Sequence, residues 1–496
     1  MGTGMKGLAK DTVIYGLTNI VSKFLNWLLA PFYIRVLADA AEYGIVTNLY
    51  AWVSVVLVVL TLGLETGLFR FLGTEEDKSS VYATCLRILS ATCGIFVLAG
   101  FVFLDDISAA VGYPAHPWYV GMFVVIVALD ALMSLPFAYL RFEKKALKFA
   151  GFKFLFVLLN IFFNLFFLVF LPYLSRQGVT MPGWLYIPGF GVGYIFLSNL
   201  LASTIEFLCI LPVLKPALEG AFSGVLFRRL VSYCLPLVLL GLAGNFNKMA
   251  GQILIPLLAP DHETGLEMVG IFGGNLKISV IMVMFLQAFR FAYDPFVFSK
   301  MKSVDADKAY RLAMNYFVFA GCLIFVFVMY WMPLFRHVVR PDYYSGLAIV
   351  PIMMASEVLF GIYYNLSIWY KVSDRTQFGA LFSLIGLAVT VAIILWGVPR
   401  YGIIACAWAA IACNGIMLLL SYTLGRKYHP IRYNEGRILL SLAVTAAFYF
   451  GGMLVDFGDG AVTIVARTLL IIPYLALMIP LLTPEMKTLL LSLRRN

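Results

Sequence analysis

Charged residues are scarce in this sequence. Only 12% of its 496 residues are Asp, Glu, Lys or Arg, against roughly 25% in soluble domains. In contrast, 62% are hydrophobic, and the mean hydropathy is +0.92. A water-soluble fold cannot bury so much apolar surface, so the composition excludes a soluble enzyme or binding domain and predicts a membrane protein.

Patterns typical of metal sites and disulfide frameworks are also lacking. The seven cysteines lie within apolar runs and form no C-x-x-C pair, and the four histidines lie in predicted loops without metal-ligand spacing. No small-residue cleavage site follows the first apolar run, which we interpret as an uncleaved first helix rather than a signal peptide. We therefore expect no metal, no catalytic centre and no resident cofactor.

Long continuous apolar runs dominate the chain. Each is about 20 residues long, the length that a helix needs to cross roughly 30 Å of hydrocarbon, whereas barrel strands alternate apolar and polar residues. The runs predict an all-α polytopic membrane protein of about fourteen transmembrane helices. The predicted helices are 11–36, 43–71, 81–103, 118–140, 149–172, 188–213, 230–258, 268–292, 309–333, 345–370, 376–397, 403–424, 437–455 and 463–482.

Lys and Arg are distributed unevenly over the predicted loops. With the N-terminus placed inside, the inner loops hold most of them, and the outer loops hold only Arg176, Arg336, Arg340 and Arg400. Because basic residues accumulate on the cytoplasmic side, this alternation predicts an even number of helices with both termini in the cytoplasm. The net charge of +10 then reflects loops facing anionic lipid and requires no nucleic acid.

Two stretches of the sequence resemble each other, 22–49 and 247–276. Lys23 precedes Pro31 by eight residues, just as Lys248 precedes Pro256, and a Gly-Ile pair and an Asn-Leu pair follow in both stretches. The repeat predicts two pseudo-symmetric six-helix lobes and an appended helix pair, related by an axis along the membrane normal. The corresponding boundaries are 1–214 for the N-terminal lobe, 215–425 for the C-terminal lobe, and 426–496 for the pair and tail.

Three lysines lie deep within predicted helices. A charge at the bilayer centre costs at least about 2.5–3.5 kcal/mol, so such residues normally face a cavity or a partner. Amide side chains share helical faces with two of the lysines by i, i+3 and i+4 spacing. We expect a cationic substrate cavity formed by Lys23, Lys248, Lys277, Asn19, Asn26, Asn245 and Gln252.

Acidic residues also lie within the predicted helices. Asp130 and Glu357 are near mid-membrane, in helices that are equivalent in the repeat, and Glu206 is closer to the cytoplasmic side. Two interpretations stay open: these carboxylates carry a coupling H⁺ or Na⁺, or they compensate the charge of the buried lysines.

Three segments resemble one family of membrane proteins. They are 8–46, the motif GLETGLFRFL at 63–72, and VGIFGGNLKISVIMVMFLQAFRFAYDPF at 269–296. The resemblance is to polysaccharide-repeat-unit (O-antigen type) flippases of the multidrug/oligosaccharidyl-lipid/polysaccharide exporter superfamily. Where relatives often show an Asp-Arg pair, this chain has Asn247 and Lys248, and its basic mid-helix charge argues against cationic drugs as substrates.

The resemblance implies a function. Such proteins move undecaprenyl-pyrophosphate-linked oligosaccharides between leaflets of the bacterial inner membrane by alternating access, and they are not enzymes. It also implies a cytoplasmic gate at Glu65, with Arg70 in the same motif. Expected partners are the lipid-linked substrate, membrane lipid and polysaccharide polymerase machinery, with the protein itself a monomer. A lipid II flippase and a membrane-embedded polysaccharide polymerase or ligase are the alternatives.

Overall fold

The computed structural model describes residues 2–300, 306–373, 375–458 and 460–482. The chain divides into two compact units, Met1–Gly270 and Ile271–Asn496. Every regular element in the described residues is helical. The predicted all-α fold is therefore confirmed, whereas the predicted lobe boundaries at 214 and 425 stay predictions.

The first unit contains eleven helices and the start of a twelfth. They are α1 (Gly2–Val36), α2 (Ala40–Thr61), α3 (Leu64–Thr74), α4 (Lys78–Val102), α5 (Leu104–Ala110), α6 (Pro117–Phe142), α7 (Ala146–Leu165), α8 (Leu171–Arg176), α9 (Val192–Ile210), α10 (Lys215–Glu219), α11 (Gly224–Leu258) and α12 (His262–Lys300), which continues into the second unit. A π-helical turn, Phe166–Phe170, joins α7 to α8, and a 3₁₀ turn, Leu211–Leu214, joins α9 to α10.

The second unit continues with nine further helices in its described residues. They are α13 (Ala306–Tyr330), α14 (Met332–Phe335), α15 (Ile349–Leu366), α16 (Ile368–Val372), α17 (Gln377–Tyr401), α18 (Ile404–Tyr428), α19 (Glu435–Met453), α20 (Gly460–Leu469) and α21 (Ile471–Met478). Short 3₁₀ turns cover Arg336–Val338, Pro341–Gly346 and Ile479–Leu481.

Thirteen segments of the described chain are helices long and apolar enough to cross a membrane. The first predicted span is also a helix, α1, in addition to these thirteen. Large apolar side chains such as Trp184 and Leu454 are more than 80% exposed. Because a soluble monomer rarely exposes so much apolar surface, these features identify a multi-pass membrane protein.

The predicted helix 43–71 is broken in the structure. Residues 43–71 form α2 and α3, because Leu62 (φ 50°) and Gly63 (φ 63°) both adopt the left-handed conformation between them. Glycine takes this conformation without strain, whereas a leucine there costs about 1–2 kcal/mol. The break makes α3 a separate short helix that begins with Glu65 in its first turn.

Gly44 and Gly270, the glycines of the two repeated pairs, lie at one helix crossing in the first unit. A Cβ atom on Gly44 of α2 would overlap the backbone carbonyl of Leu266 in α12, and one on Gly270 would overlap that of Ala40. Each glycine thus faces the residue four positions before the other, so the contact is reciprocal. Small residues allow this close backbone approach in membrane proteins, and the reciprocity supports the sequence repeat.

The appended helices pack inside the second unit. The Tyr330 hydroxyl of α13 donates to the Phe448 carbonyl of α19 at 2.7 Å, and the hydroxyls of Thr445 and Tyr474 lie 3.1 Å apart. Tyr330 and Tyr474 are fully buried in a cluster with Phe317 and Met354. The last helices are therefore part of the core of this unit.

Candidate functional site

The polar face of α11 is held against α2 in the first unit. The Asn245 amide donates to the Ser54 carbonyl at 2.6 Å and to its hydroxyl at 3.0 Å. Six residues earlier in α2, or nearly two helical turns towards its start, the Asn48 amide donates to the backbone carbonyl of Gln252 at 2.7 Å. These bonds fix the rotation of α11, and they engage the Asn245 side chain in helix packing.

Lys248 lies between these two anchor points in the sequence of α11. Its side chain is exposed, although α11 is one of the apolar spans. It is ten residues before the end of α11 at Leu258, which corresponds to about 15 Å at 1.5 Å per residue. An exposed ammonium group at this depth in the bilayer requires a water-filled or polar surface next to it.

The predicted ligands of α1 lie on its exposed side. Lys23 and Asn26 are both exposed, and Lys23 is thirteen residues, or about 20 Å, before the end of the helix at Val36. The side chain of Asn19 lies outside the described part of the chain. The first unit therefore presents two lysines from the repeated sequence on exposed helix faces within the membrane.

The remaining predicted cation and one predicted acid belong to the second unit. Lys277 of α12 and Glu357 of α15 are both half-buried. Beside Glu357, the amide of Asn414 donates to the carbonyl (3.0 Å) and hydroxyl (2.9 Å) of Ser356, which joins α18 to α15. The roles predicted for Lys277 and Glu357 stay predictions.

Asp130 and Glu206 share one lysine inside the first unit. Lys153 of α7 lies 3.7 Å from the carboxylate of Glu206, which is 1% exposed, and also interacts electrostatically with Asp130. Its ammonium group lies 3.7 Å from the ring centre of Phe137. Lys153 thus compensates the charge of these two acids, and the two interpretations made from the sequence, ion coupling and compensation of the deep lysines, stay predictions.

A chain of hydrogen bonds continues from this cluster to α2. The Ser203 hydroxyl lies 3.4 Å from Asp130 and 3.2 Å from Asn199, and the Asn199 amide donates to the Tyr50 hydroxyl at 2.6 Å. Ser203 is fully buried and Asn199 nearly so. The network connects α6, α9 and α2.

Lys153 is the functional candidate that sequence reasoning missed. It lies four residues into a predicted helix, at a depth from which a lysine side chain can reach the membrane surface. A comparison of depths in the membrane could have found it, because Glu206 lies at a similar distance from the same membrane face on an antiparallel helix. A buried acid at the depth of a lysine on another helix is a candidate pair.

The residues of the GLETG motif are paired within the first unit. Glu65 of α3 forms a salt bridge with Arg141 at the end of α6, and Arg141 also lies 5.2 Å from the ring centre of Phe69. Arg70 instead stacks over the ring of Tyr233 in α11, at 4.2 Å. Glu65 and Arg70 thus have different partners, and their predicted role at a gate stays a prediction.

No protein family model matches the sequence, and no curated protein does. Solved structures do match. A structure titled "Lipid II flippase MurJ, inward closed conformation" has a TM-score of 0.71 at 12% identity and covers 93% of this chain and 98% of its own.

Transporters of the MATE family match over most of the chain as well. The inward-facing structure of a multidrug resistance MATE transporter of the MOP superfamily has a TM-score of 0.63 at 13% identity, covering 85% of this chain and 96% of its own. The outward-facing structure of such a transporter has a TM-score of 0.61 at 14% identity, covering 84% and 95%. At these identities the similarity establishes architecture. This chain is a multi-pass membrane protein with the fold that the lipid II flippase MurJ shares with MATE transporters.

Proposed function

We propose that this protein is a flippase for a lipid-linked oligosaccharide. The proposed substrate is an undecaprenyl-pyrophosphate-linked repeat unit, moved from the inner to the outer leaflet of the bacterial cytoplasmic membrane by alternating access. The observation that carries the proposal is the exposed Lys248 within an apolar span of a flippase-like fold. Its counterpart in the sequence repeat, Lys23, is exposed as well.

The sign of these charges selects the substrate class. A diphosphate loses hydration when it leaves water, and paired charges and hydrogen bonds must replace that hydration. Lys23 and Lys248 supply positive charge within the membrane, and the nearby Asn26 amide suits a sugar hydroxyl. The same lysines would repel a cationic drug. The MATE-like fold therefore does not imply that this chain transports drugs.

Lipid II is the second candidate substrate. The structural match to a lipid II flippase favours it, and lipid II also presents a diphosphate to the two lysines. A polysaccharide polymerase or ligase would act on the same carrier, but the matched structures are a flippase and transporters. We therefore propose transport rather than catalysis, with the protein as a monomer beside the polysaccharide polymerase machinery.

Ion coupling is proposed at the acidic groups. The Asp130, Glu206 and Lys153 cluster connects three helices through Ser203, and such a network responds to uptake of H⁺ or Na⁺. Glu357 is the corresponding candidate in the second unit. The basic inner loops support an orientation with both termini in the cytoplasm.

Reconstituted vesicles test the proposed function. The change is Lys248→Ala, with Lys248→Arg retaining the charge and Lys148→Ala removing an exposed lysine near the start of α7. We expect Lys248→Ala to slow the translocation of a fluorescent pyrophosphate-linked oligosaccharide at least about tenfold, because one charge-assisted contact is worth about 1.5–3 kcal/mol. Lys248→Arg and Lys148→Ala should translocate it at near wild-type rates.

Two results would contradict the proposed substrate or its binding by the lysines. If Lys248→Ala reconstitutes at the wild-type level and translocates the oligosaccharide as fast as wild type, the lysines do not bind the diphosphate. Transport of lipid II alone, with no movement of the oligosaccharide, would identify lipid II as the substrate instead.

A further inference from the structure

A basic cleft lies between α3 and α11 in the first unit, away from Lys23 and Lys248. Its volume is about 570 Å³, within the range of small-molecule sites. We call it the α3–α11 cleft. It is lined by Arg70, Phe71, Thr74, Arg228, Arg229, Ser232 and Tyr233.

Positive charge predominates in the α3–α11 cleft. Arg229 lies 2.8 Å from Glu75, so one of the three guanidinium charges is compensated. Arg70 and Arg228 are exposed, and the described residues that line the cleft include no carboxylate. The hydroxyls of Ser232 and Tyr233 add hydrogen-bond donors beside these arginines. The cleft therefore suits an anion with about two negative charges.

Aromatic rings orient two of these arginines. The guanidinium of Arg70 lies 4.2 Å from the ring centre of Tyr233, and that of Arg229 lies 5.1 Å from the ring centre of Phe71. A guanidinium that stacks through its face keeps its N–H donors at the edge, in a planar fork that matches phosphate oxygens. The two rings thus place Arg70 and Arg229 at the cleft.

The position of the cleft indicates where its ligand is presented. The span Ala40–Thr74 ends at the cleft and the span Gly224–Leu258 begins there, so the arginines lie at one membrane boundary. Lipid headgroups occupy this depth, and basic pockets between helices bind anionic ones. The ends of these spans also place the cleft on the side predicted to be cytoplasmic.

We propose that the α3–α11 cleft binds a phosphate group, presented either as the headgroup of an anionic phospholipid or as a small diphosphate in water. Both ligands offer oxygens that accept paired N–H donors, so they share one recognition chemistry. The proposal concerns binding alone and does not depend on the transported substrate.

The test uses the full-length protein in neutral-lipid nanodiscs and two probes. Inorganic pyrophosphate is titrated by calorimetry, and phosphatidylglycerol is exchanged in and counted by native mass spectrometry. The variant is Arg228→Gln, because Arg228 is exposed and lines the cleft while Arg229 holds Glu75. Arg228→Glu reverses the charge as a second variant, and Arg432→Gln removes an exposed arginine from a loop of the second unit as a control.

We expect wild type to bind at least one probe and Arg228→Gln to weaken that binding about tenfold, as the loss of one charge-assisted contact implies. Arg228→Glu should weaken it further, and Arg432→Gln should leave it unchanged. Loss of pyrophosphate binding alone identifies a soluble diphosphate as the ligand, whereas loss of retained phosphatidylglycerol identifies a headgroup. Equal weakening by Arg228→Gln and Arg432→Gln, or no binding of either probe to wild type, would overturn the proposal.

Discussion

The lysine shared by Asp130 and Glu206 gives the sharpest stability prediction. In Lys153→Met the side chain keeps its length but loses the ammonium group, which leaves the nearly inaccessible Glu206 carboxylate without its cation. Removing one partner of a buried pair typically costs about 3–5 kcal/mol. Because the Lys153 side chain is 32% exposed and the pair is 3.7 Å apart, we expect the variant to lower the free energy of unfolding by about 2 kcal/mol.

The second partner tests whether the charge pair is the cause. Glu206→Gln removes the buried negative charge, so the double variant Lys153→Met/Glu206→Gln should be within about 1 kcal/mol of wild type. As a control, Lys215→Met breaks an ion pair with Glu219 whose side chains are 77% and 66% exposed, and it should cost at most about 0.5 kcal/mol.

Equilibrium unfolding in mixed micelles supplies the free energies for this double-mutant cycle. A coupling energy of about 1 kcal/mol or more between Lys153 and Glu206 confirms the compensation. Additive effects, with the double variant as unstable as the sum of the single variants, would show that Lys153 does not stabilise the acid and would refute the reasoning.

Two further changes test the packing and capping of the first unit. Gly270→Ala places a methyl group on the Ala40 carbonyl and should lower the free energy of unfolding by about 1–3 kcal/mol. Gly244→Ala meets open space and should leave thermal unfolding unchanged. Equal effects of the two variants would contradict the close crossing. Asp77 caps α4 by accepting bonds from the Ser80 hydroxyl (2.6 Å) and N–H (3.0 Å), which lower its pKa. Asp77→Ala should lower the melting temperature at neutral pH. This difference should shrink as the pH falls from the ordinary aspartate pKa through the lowered pKa of the folded protein, because the two bonds stabilise the ionised carboxylate. A difference that persists unchanged at low pH would contradict this cause.

Hydrophobic run length predicted most of the helices in this protein. The limits of α4 (Lys78–Val102) and α17 (Gln377–Tyr401) differ by only a few residues from the predicted 81–103 and 376–397. This agreement follows from the membrane, since a helix of about 20 apolar residues is the unit that spans it. The break between α2 and α3 was missed because a left-handed Leu62 changes no property of the hydrophobic pattern.

The sequence predicted less of the candidate site than of the helices. Depth along a helix identified Lys248 as a charge within the membrane, and the structure places it on an exposed face. Depth alone does not determine which helices are neighbours, so it did not predict that Asn245 binds Ser54. Depth makes Lys153 and Glu206 a candidate pair, but only the packing of their helices selects it. Those contacts depend on tertiary packing between segments that are separated in sequence by 191 and 53 residues.

A comparison of three transport substrates in proteoliposomes tests the central claim most directly. Vesicles with wild-type protein are offered an undecaprenyl-pyrophosphate-linked oligosaccharide, lipid II and a cationic dye in turn, and the fraction of each that crosses the bilayer is measured. The exposed Lys23 and Lys248 predict transport of a pyrophosphate-linked lipid, slowed by Lys248→Ala, and no transport of the dye. Transport of the cationic dye without movement of either lipid would contradict the account.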